Sequence, residues 1–220
     1  MKIFTINTVN NFMELIYNPF GKPFVEENPD VQVHNIMDDS LLSETLGNGG
    51  VTNDVCMRML SYAQSAQLCG ADGIIVTCTS VNEATERIKK FVNIPMINIE
   101  EPVAEMAVEN GVKIGVMGTI PTSPIAIGRT IIQKAKEANK EIEIVNCVVD
   151  GAFDILCAGD RDKHDEMVCE AMYQLAKEVD VIVFAQISMS LLKHEPIEIP
   201  LYKVGKTGFE KLKGMIEEQK

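Results

Sequence analysis

The chain has 220 residues, 46% hydrophobic and 24% charged, a balance that excludes a disordered protein and leaves room for one large domain or two small ones. Its longest apolar stretches run six or seven residues and its N-terminus (MKIFTINTVNN) lacks a signal-peptide core, so membrane insertion and secretion are not expected and the cytoplasm is. A formal net charge of −12 without a basic stripe argues against a nucleic-acid partner; it leaves open a small anionic substrate, which a pocket holds with backbone amides and hydroxyls.

In chain order, an apolar run predicts a strand near 2–7, a helical pattern follows near 10–18, and a second strand is expected near 31–37. Gly47-Asn48-Gly49-Gly50 reads as a turn, since it follows no clear strand and lacks the Lys-Ser/Thr of a nucleotide cradle. A helix near 53–69 leads to GADGIIVTCTS (70–80), in which a strand near 72–77 runs directly into Cys78. Helices near 81–91 and 101–110 then flank a strand near 95–98, and a strand near 112–117 is followed by a helix near 123–139. The remaining strands are expected near 141–147, 180–185 and 199–203, with helices near 162–179 and 206–218. Such alternation implies α/β architecture with parallel pairing, and ligands of open parallel sheets bind at the C-terminal ends of the strands, where Cys78 lies.

The chain also matches itself. Lys2-Ile3-Phe4-Thr5-Ile6-Asn7-Thr8-Val9 aligns with Lys113-Ile114-Gly115-Val116-Met117-Gly118-Thr119-Ile120 at an offset of 113 − 2 = 111, which also carries Val31-Gln32-Val33 onto Ile142-Glu143-Ile144. Asp72 to Ser80 aligns with Asp180 to Ser188 at 180 − 72 = 108, and Ile94-Pro95-Met96 with Ile199-Pro200-Leu201 at 105. Similarities in one order at slowly drifting offsets indicate two copies of one unit. The expected fold is two pseudo-symmetric α/β/α (flavodoxin/Rossmann-like) units with parallel sheets and an active-site cleft between them: 1–100 plus 205–220, the C-terminal helix returning to the first unit, and 101–204. Cys78 and Gln186 are expected on opposite walls of that cleft.

The six cysteines form no CxxC pair and the three histidines do not cluster, so neither a disulfide framework nor a structural zinc site is expected. Cys56, Cys69, Cys147, Cys157 and Cys169 read as structural, His194 as a solvated loop residue, and the 12 methionines as core filler.

On GADGIIVTCTS (70–80), VKIGVMGTIPTS (112–123) and VDVIVFAQISM (179–189), the sequence resembles the aspartate/glutamate/hydantoin racemase superfamily, which includes maleate isomerase and arylmalonate decarboxylase. The resemblance covers nearly the whole chain. It implies a cofactor-independent enzyme, with no metal, in which one thiolate removes the proton next to a carboxylate or carbonyl and an opposite thiol delivers a proton to the other face. The second cysteine is replaced here by Gln186, whose amide exchanges no proton near neutral pH. Residue by residue, the resemblance makes Cys78 the single acid/base, with helix-start N–H groups favouring its thiolate. Thr79 and Ser80 become donors to a carboxylate or enediolate oxygen, with helix capping as their plainer role. Thr119 and Thr122 resemble the substrate-carboxylate loop, Thr122 being equally an ordinary helix start, and Asn7 and Thr8 are their repeat partners, Asn7 alternatively a turn residue. Gln186 is expected to donate its NH2 and Ser188 a hydroxyl. The implied partner is a small anionic substrate, carboxylate or hydantoin-like, and relatives imply a homo-oligomer, a dimer or larger.

Two other functions stand beside the racemase/isomerase. A malonate-like acid losing CO2 needs protonation on one face only, so a decarboxylase is served by one thiol; arylmalonate decarboxylase, however, keeps the cysteine of the opposite half and uses a tyrosine that the GTIPTS loop lacks. A carboxylate-binding module without turnover is the other.

Overall fold

Among the described residues, eight strands form where β-branched and apolar side chains run together, and they assemble into two four-stranded sheets. The structure is a computed structural model and describes residues 1–219. β1 (Lys2–Asn7), β2 (Gln32–Met37), β3 (Gly73–Val76) and β4 (Met96–Asn98) lie in the order β2-β1-β3-β4, and β5 (Lys113–Gly118), β6 (Glu143–Val148), β7 (Val181–Phe184) and β8 (Leu201–Lys203) in the order β6-β5-β7-β8. Every pairing is parallel. The chain divides into two compact units, Met1–Ile99 joined by the residues from Gly205 onward, and Glu100–Val204.

Helices cover both faces of each sheet, which is why β3 and β7 are continuous apolar runs with every residue buried. The helices are α1 (Lys22–Glu27), α2 (Ser40–Gly47), α3 (Asn53–Leu68), α4 (Asn82–Ile88), α5 (Glu101–Asn110), α6 (Thr122–Glu137), α7 (Ala152–Cys157), α8 (Arg161–Leu175) and α9 (Lys206–Glu218). In the first unit, Met59, Ala63 and Ala66 of α3 pack on Ile6, Ile74 and Val76. The other face takes α9, for which Gly73 leaves room: a Cβ there would come 2.8 Å from Ile216 Cδ1 and 2.9 Å from Leu212 Cδ1. Phe209 of α9 also meets Phe24 of α1, ring centroids 5.5 Å apart. In the second unit, Val168 and Met172 of α8 cover Met117, Ile182 and Phe184, while α5 and α6 pack on the opposite face.

The two units repeat the same bonds at the offsets read in the sequence. The Asp72 N–H donates to the Lys2 carbonyl at 2.7 Å as Asp180 does to Lys113 at 2.8 Å. Thr77 donates to Ile6 as Ala185 does to Met117, and Asp38 to Asn7 as Val149 does to Gly118. The Asp72 carboxylate accepts from the Lys2 N–H at 2.6 Å, and that of Asp180 from the Lys113 N–H at 2.7 Å. For Asp180, the backbone donors Lys113 and then Val112 hold the carboxyl below its ordinary range.

Several expected elements take another form. The helix expected near 10–18 is a π-helix over Met13–Gly21 running into α1; Pro19 has no N–H to give, and the Lys22 N–H reaches back five residues to the Tyr17 carbonyl. The segment expected near 81–91 breaks into a 3-10 turn at Thr79–Val81, α4, and a second 3-10 turn at Lys89–Phe91. Neither α2 nor α7 is predicted, being only eight and six residues long. The glycine-rich turn closes α2, with the Asn48 and Gly50 N–H groups donating to the carbonyls of Glu44 and Thr45. Among the described residues, no helix is long and apolar enough to cross a membrane.

Candidate active site

Cys78 follows β3 in extended conformation (φ −125°, ψ 113°), half-buried, and opens the Thr79–Val81 turn, whose Val81 N–H donates to the Cys78 carbonyl at 3.3 Å. Thr79 and Ser80 are half-buried on that turn. Neither holds the cap position of α4, which falls on Val81 and carries no side-chain cap bond. Their hydroxyls therefore stay free of the plainer structural role. Among the other thiols, Cys56 is buried, Cys69 and Cys157 are exposed, and burial pushes those of Cys147 and Cys169 up, away from the thiolate.

α2 packs against the Thr79–Val81 turn, with Leu41 and Val81 fully buried in the cluster that also receives Cys78. It is tied down by Arg58 of α3, whose guanidinium donates to Asp38 (3.1 Å), Ser40 (2.6 Å) and Glu44 (2.5 Å). Tyr62 adds an O–H bond to Asp38 at 2.7 Å. Burial alone would raise the Asp38 carboxyl; the bonds from Ser40 and Tyr62 and the Arg58 charge outweigh it and leave the carboxyl below its usual range. Sequence reading missed this latch. Its members lie 14 to 24 residues apart, a spacing with no local signature.

Asn7 is wholly buried and committed within the sheet: its Nδ2 donates to Thr5 Oγ1 (2.8 Å) and the Ile36 carbonyl (3.2 Å), and its Oδ1 accepts from Thr77 Oγ1 at 2.7 Å. Thr8, next along, is 1% exposed and its hydroxyl has no partner.

In the second unit Gln186 stands where the repeat places Cys78. The N–H of Thr119 (2.5 Å), the hydroxyl of Thr119 (3.1 Å) and the N–H of Ile120 (3.3 Å) all donate to one terminal atom of Gln186. Two of these groups are obligate donors, so the atom they share is the amide oxygen. The amide orientation is thereby fixed. Gly118 makes the approach possible, since a Cβ there would lie 2.9 Å from Pro124 Cδ and 3.1 Å from that oxygen. Thr122 is exposed at the start of α6 and makes no capping bond; Ser188 is half-buried on the Ile187–Met189 turn. His194 bonds locally to the Glu195 carbonyl at 2.8 Å. The structure thus groups Cys78, Thr79 and Ser80 on one strand end, and Thr119 with Gln186 on another.

No curated protein sequence matches the chain. Among solved structures, it is similar to allantoin racemase from Klebsiella pneumoniae (14% identity, 100% of this chain and 89% of that one, TM-score 0.70). It is similar also to an aspartate racemase homologue from Pyrococcus horikoshii OT3 (15% identity, 98% and 99% covered, TM-score 0.72). A mutant of arylmalonate decarboxylase in a sulfate-associated form matches over 99% of this chain and 94% of that one (13% identity, TM-score 0.59). At these identities the likeness is one of fold. The sequence itself matches the Asp/Glu/hydantoin racemase family model over residues 26–211, and the chain belongs to that family.

Proposed function

We propose that the chain is a cofactor-independent enzyme of racemase or isomerase type, in which Cys78 is the single cysteine acid/base acting on the proton of the carbon next to a carboxylate or carbonyl of a small acid or amino-acid derivative. The observation that carries this is the Cys78 strand end: a half-buried thiol at the C-terminal edge of a parallel sheet, with two flanking hydroxyl residues that no helix cap consumes. As thiolate, Cys78 removes the proton from one face of the carbon, and water or another group delivers a proton to the opposite face, which inverts the centre. Thr79 and Ser80 donate to the oxygen on which negative charge grows. The family match supports the reaction class.

A second reading, decarboxylation of a malonate-like acid, is favoured by Gln186. Its amide oxygen is held by three donors and its nitrogen carries no transferable acid proton, so of the two strand-end residues only Cys78 supplies an acid proton. Incubation in D2O with amino acids, hydantoins and substituted malonates separates the readings. Deuterium uptake at the α-carbon without loss of CO2 supports proton exchange, CO2 release supports the lyase, and stabilisation by a carboxylate without either reaction supports a binding module.

A further inference from the structure

One helix face is almost without charge on a chain that is otherwise strongly acidic. α3 buries Val55, Met59, Ala63 and Ala66, and the residues three and four apart on its opposite face are Met57, Ser61, Gln64 and Leu68. All four are exposed. From Met59 to Ala71 the sequence contains no Asp, Glu, Lys, Arg or His, although 24% of the chain is charged. Apolar side chains mark both ends of the face: Met57 is 63% exposed and Leu68 90%, more than any other large hydrophobic among the described residues. Solvated helix faces are ordinarily charged or polar throughout, so this one is suited to being covered.

The hydroxyls between those ends need no water as acceptor. Ser61 Oγ donates to the Met57 carbonyl at 3.0 Å and Ser65 Oγ to the Ser61 carbonyl at 2.8 Å. Both protons stay bonded when the face is dehydrated, which removes most of the cost of burying them. Small side chains in the middle also let a second helix approach closely.

Charge identifies the cover. A charged partner would be met by ion-pairing side chains, which this face lacks. Two copies of a chain of net charge −12 repel where their charged surfaces meet, and least where neither carries charge. We propose that α3 is a dimerisation helix that pairs antiparallel with α3 of a second copy across a two-fold axis, Met57 of each chain meeting Leu68 of the other. Met57 with Leu68, and Ser61 with Gln64, are centred on one midpoint, as an isologous contact requires. Parallel pairing would instead set the exposed Asp54, one turn before Met57, against its own copy. The contact is independent of the chemistry at Cys78.

The test is analytical ultracentrifugation of the full chain over a dilution series. The wild type is expected to reach twice the 24.3 kDa of one chain, and to associate more tightly as added salt screens the like charges. Met57→Lys and Leu68→Glu, each alone, are expected to weaken association by about tenfold or more, because a lone charge is then buried against an apolar side chain. Mixing the two variants is expected to restore it, since the introduced charges then face each other. Phe153→Glu, on the exposed side of α7, is expected to change nothing. A monomeric wild type, a dimer loosened by salt, a dimer untouched by either α3 substitution, or one weakened equally by Phe153→Glu would overturn the proposal. So would a mixture that associates no more tightly than its components.

Discussion

The ends of β3 and β7 occupy equivalent places in two units that repeat each other bond for bond, and they have been put to different uses. At the end of β3 stands a thiol, two hydroxyl residues free of capping duty, and a threonine whose buried hydroxyl finds no partner. At the end of β7 the side chain is an amide, and its oxygen absorbs the donors of the neighbouring loop. Backbone hydrogen bonding is set by strand register and survives side-chain change, whereas the chemical character of each strand end rests on one side chain. Duplication thus preserved the frame while one end kept an ionisable group and the other closed itself.

The sharpest way to break this contrast is to remove each strand-end residue in turn. Cys78→Ala is expected to cut α-carbon deuterium exchange by about 10²- to 10⁴-fold, the usual contribution of a positioned acid/base, measured by loss of the α-proton signal in D2O. Undiminished exchange would take the chemistry away from β3. Gly118→Ala strikes the other end: its Cβ would press on Pro124 and on the Gln186 oxygen, so a loss of about 1–3 kcal/mol is expected in urea unfolding. Loss of slow exchange at the Thr119 amide should accompany it.

A third comparison lies one loop away. Asp38 corresponds to Val149, and the former anchors α2 through Arg58 where the latter is buried apolar surface. Arg58→Ala is expected to cost about 1.5–3 kcal/mol, the scale of hydrogen bonds to charged groups, and to speed alkylation of Cys78 beneath α2, read by peptide mass spectrometry. Because the folded Asp38 carboxyl lies below its ordinary range, its contribution is complete above that range and fades as pH falls through the lowered value. Asp38→Asn should flatten that part of an acid stability curve. The smallest effects are expected at the helix caps. Thr52 accepts from the Val55 N–H at 3.1 Å and donates to Glu44 at 2.7 Å, whereas Asp160 only accepts from the Lys163 N–H at 3.0 Å. Thr52→Ala should cost about 1 kcal/mol and Asp160→Ala somewhat less, by thermal unfolding.

What the sequence disclosed follows from how local each signal is. The runs Gly73–Val76 and Val181–Phe184 read as doubly covered strands because burial on both faces leaves no polar alternation, and Cys78 at a strand end followed from position alone. The offsets of 111 and 108 already contained the matched bonds of the two units. The π-helix escaped, since a five-residue hydrogen bond around Pro19 leaves the same apolar spacing as an ordinary helix end. So did the grip on the Gln186 oxygen. Whether a side chain 67 residues away reaches a loop is a matter of length and approach, which spacing does not encode.

The return of α9 to the first sheet bears on the order in which the protein is made. Gly73 is shaped to receive Leu212 and Ile216, so the sheet holding Cys78 lacks one covering layer until Lys206–Glu218 has left the ribosome. Residues Glu100–Val204 form an uninterrupted unit and need nothing translated after them. The half encoded later is therefore free to finish folding first, and the half encoded earlier waits with an apolar sheet face open, the stage of biosynthesis most exposed to aggregation.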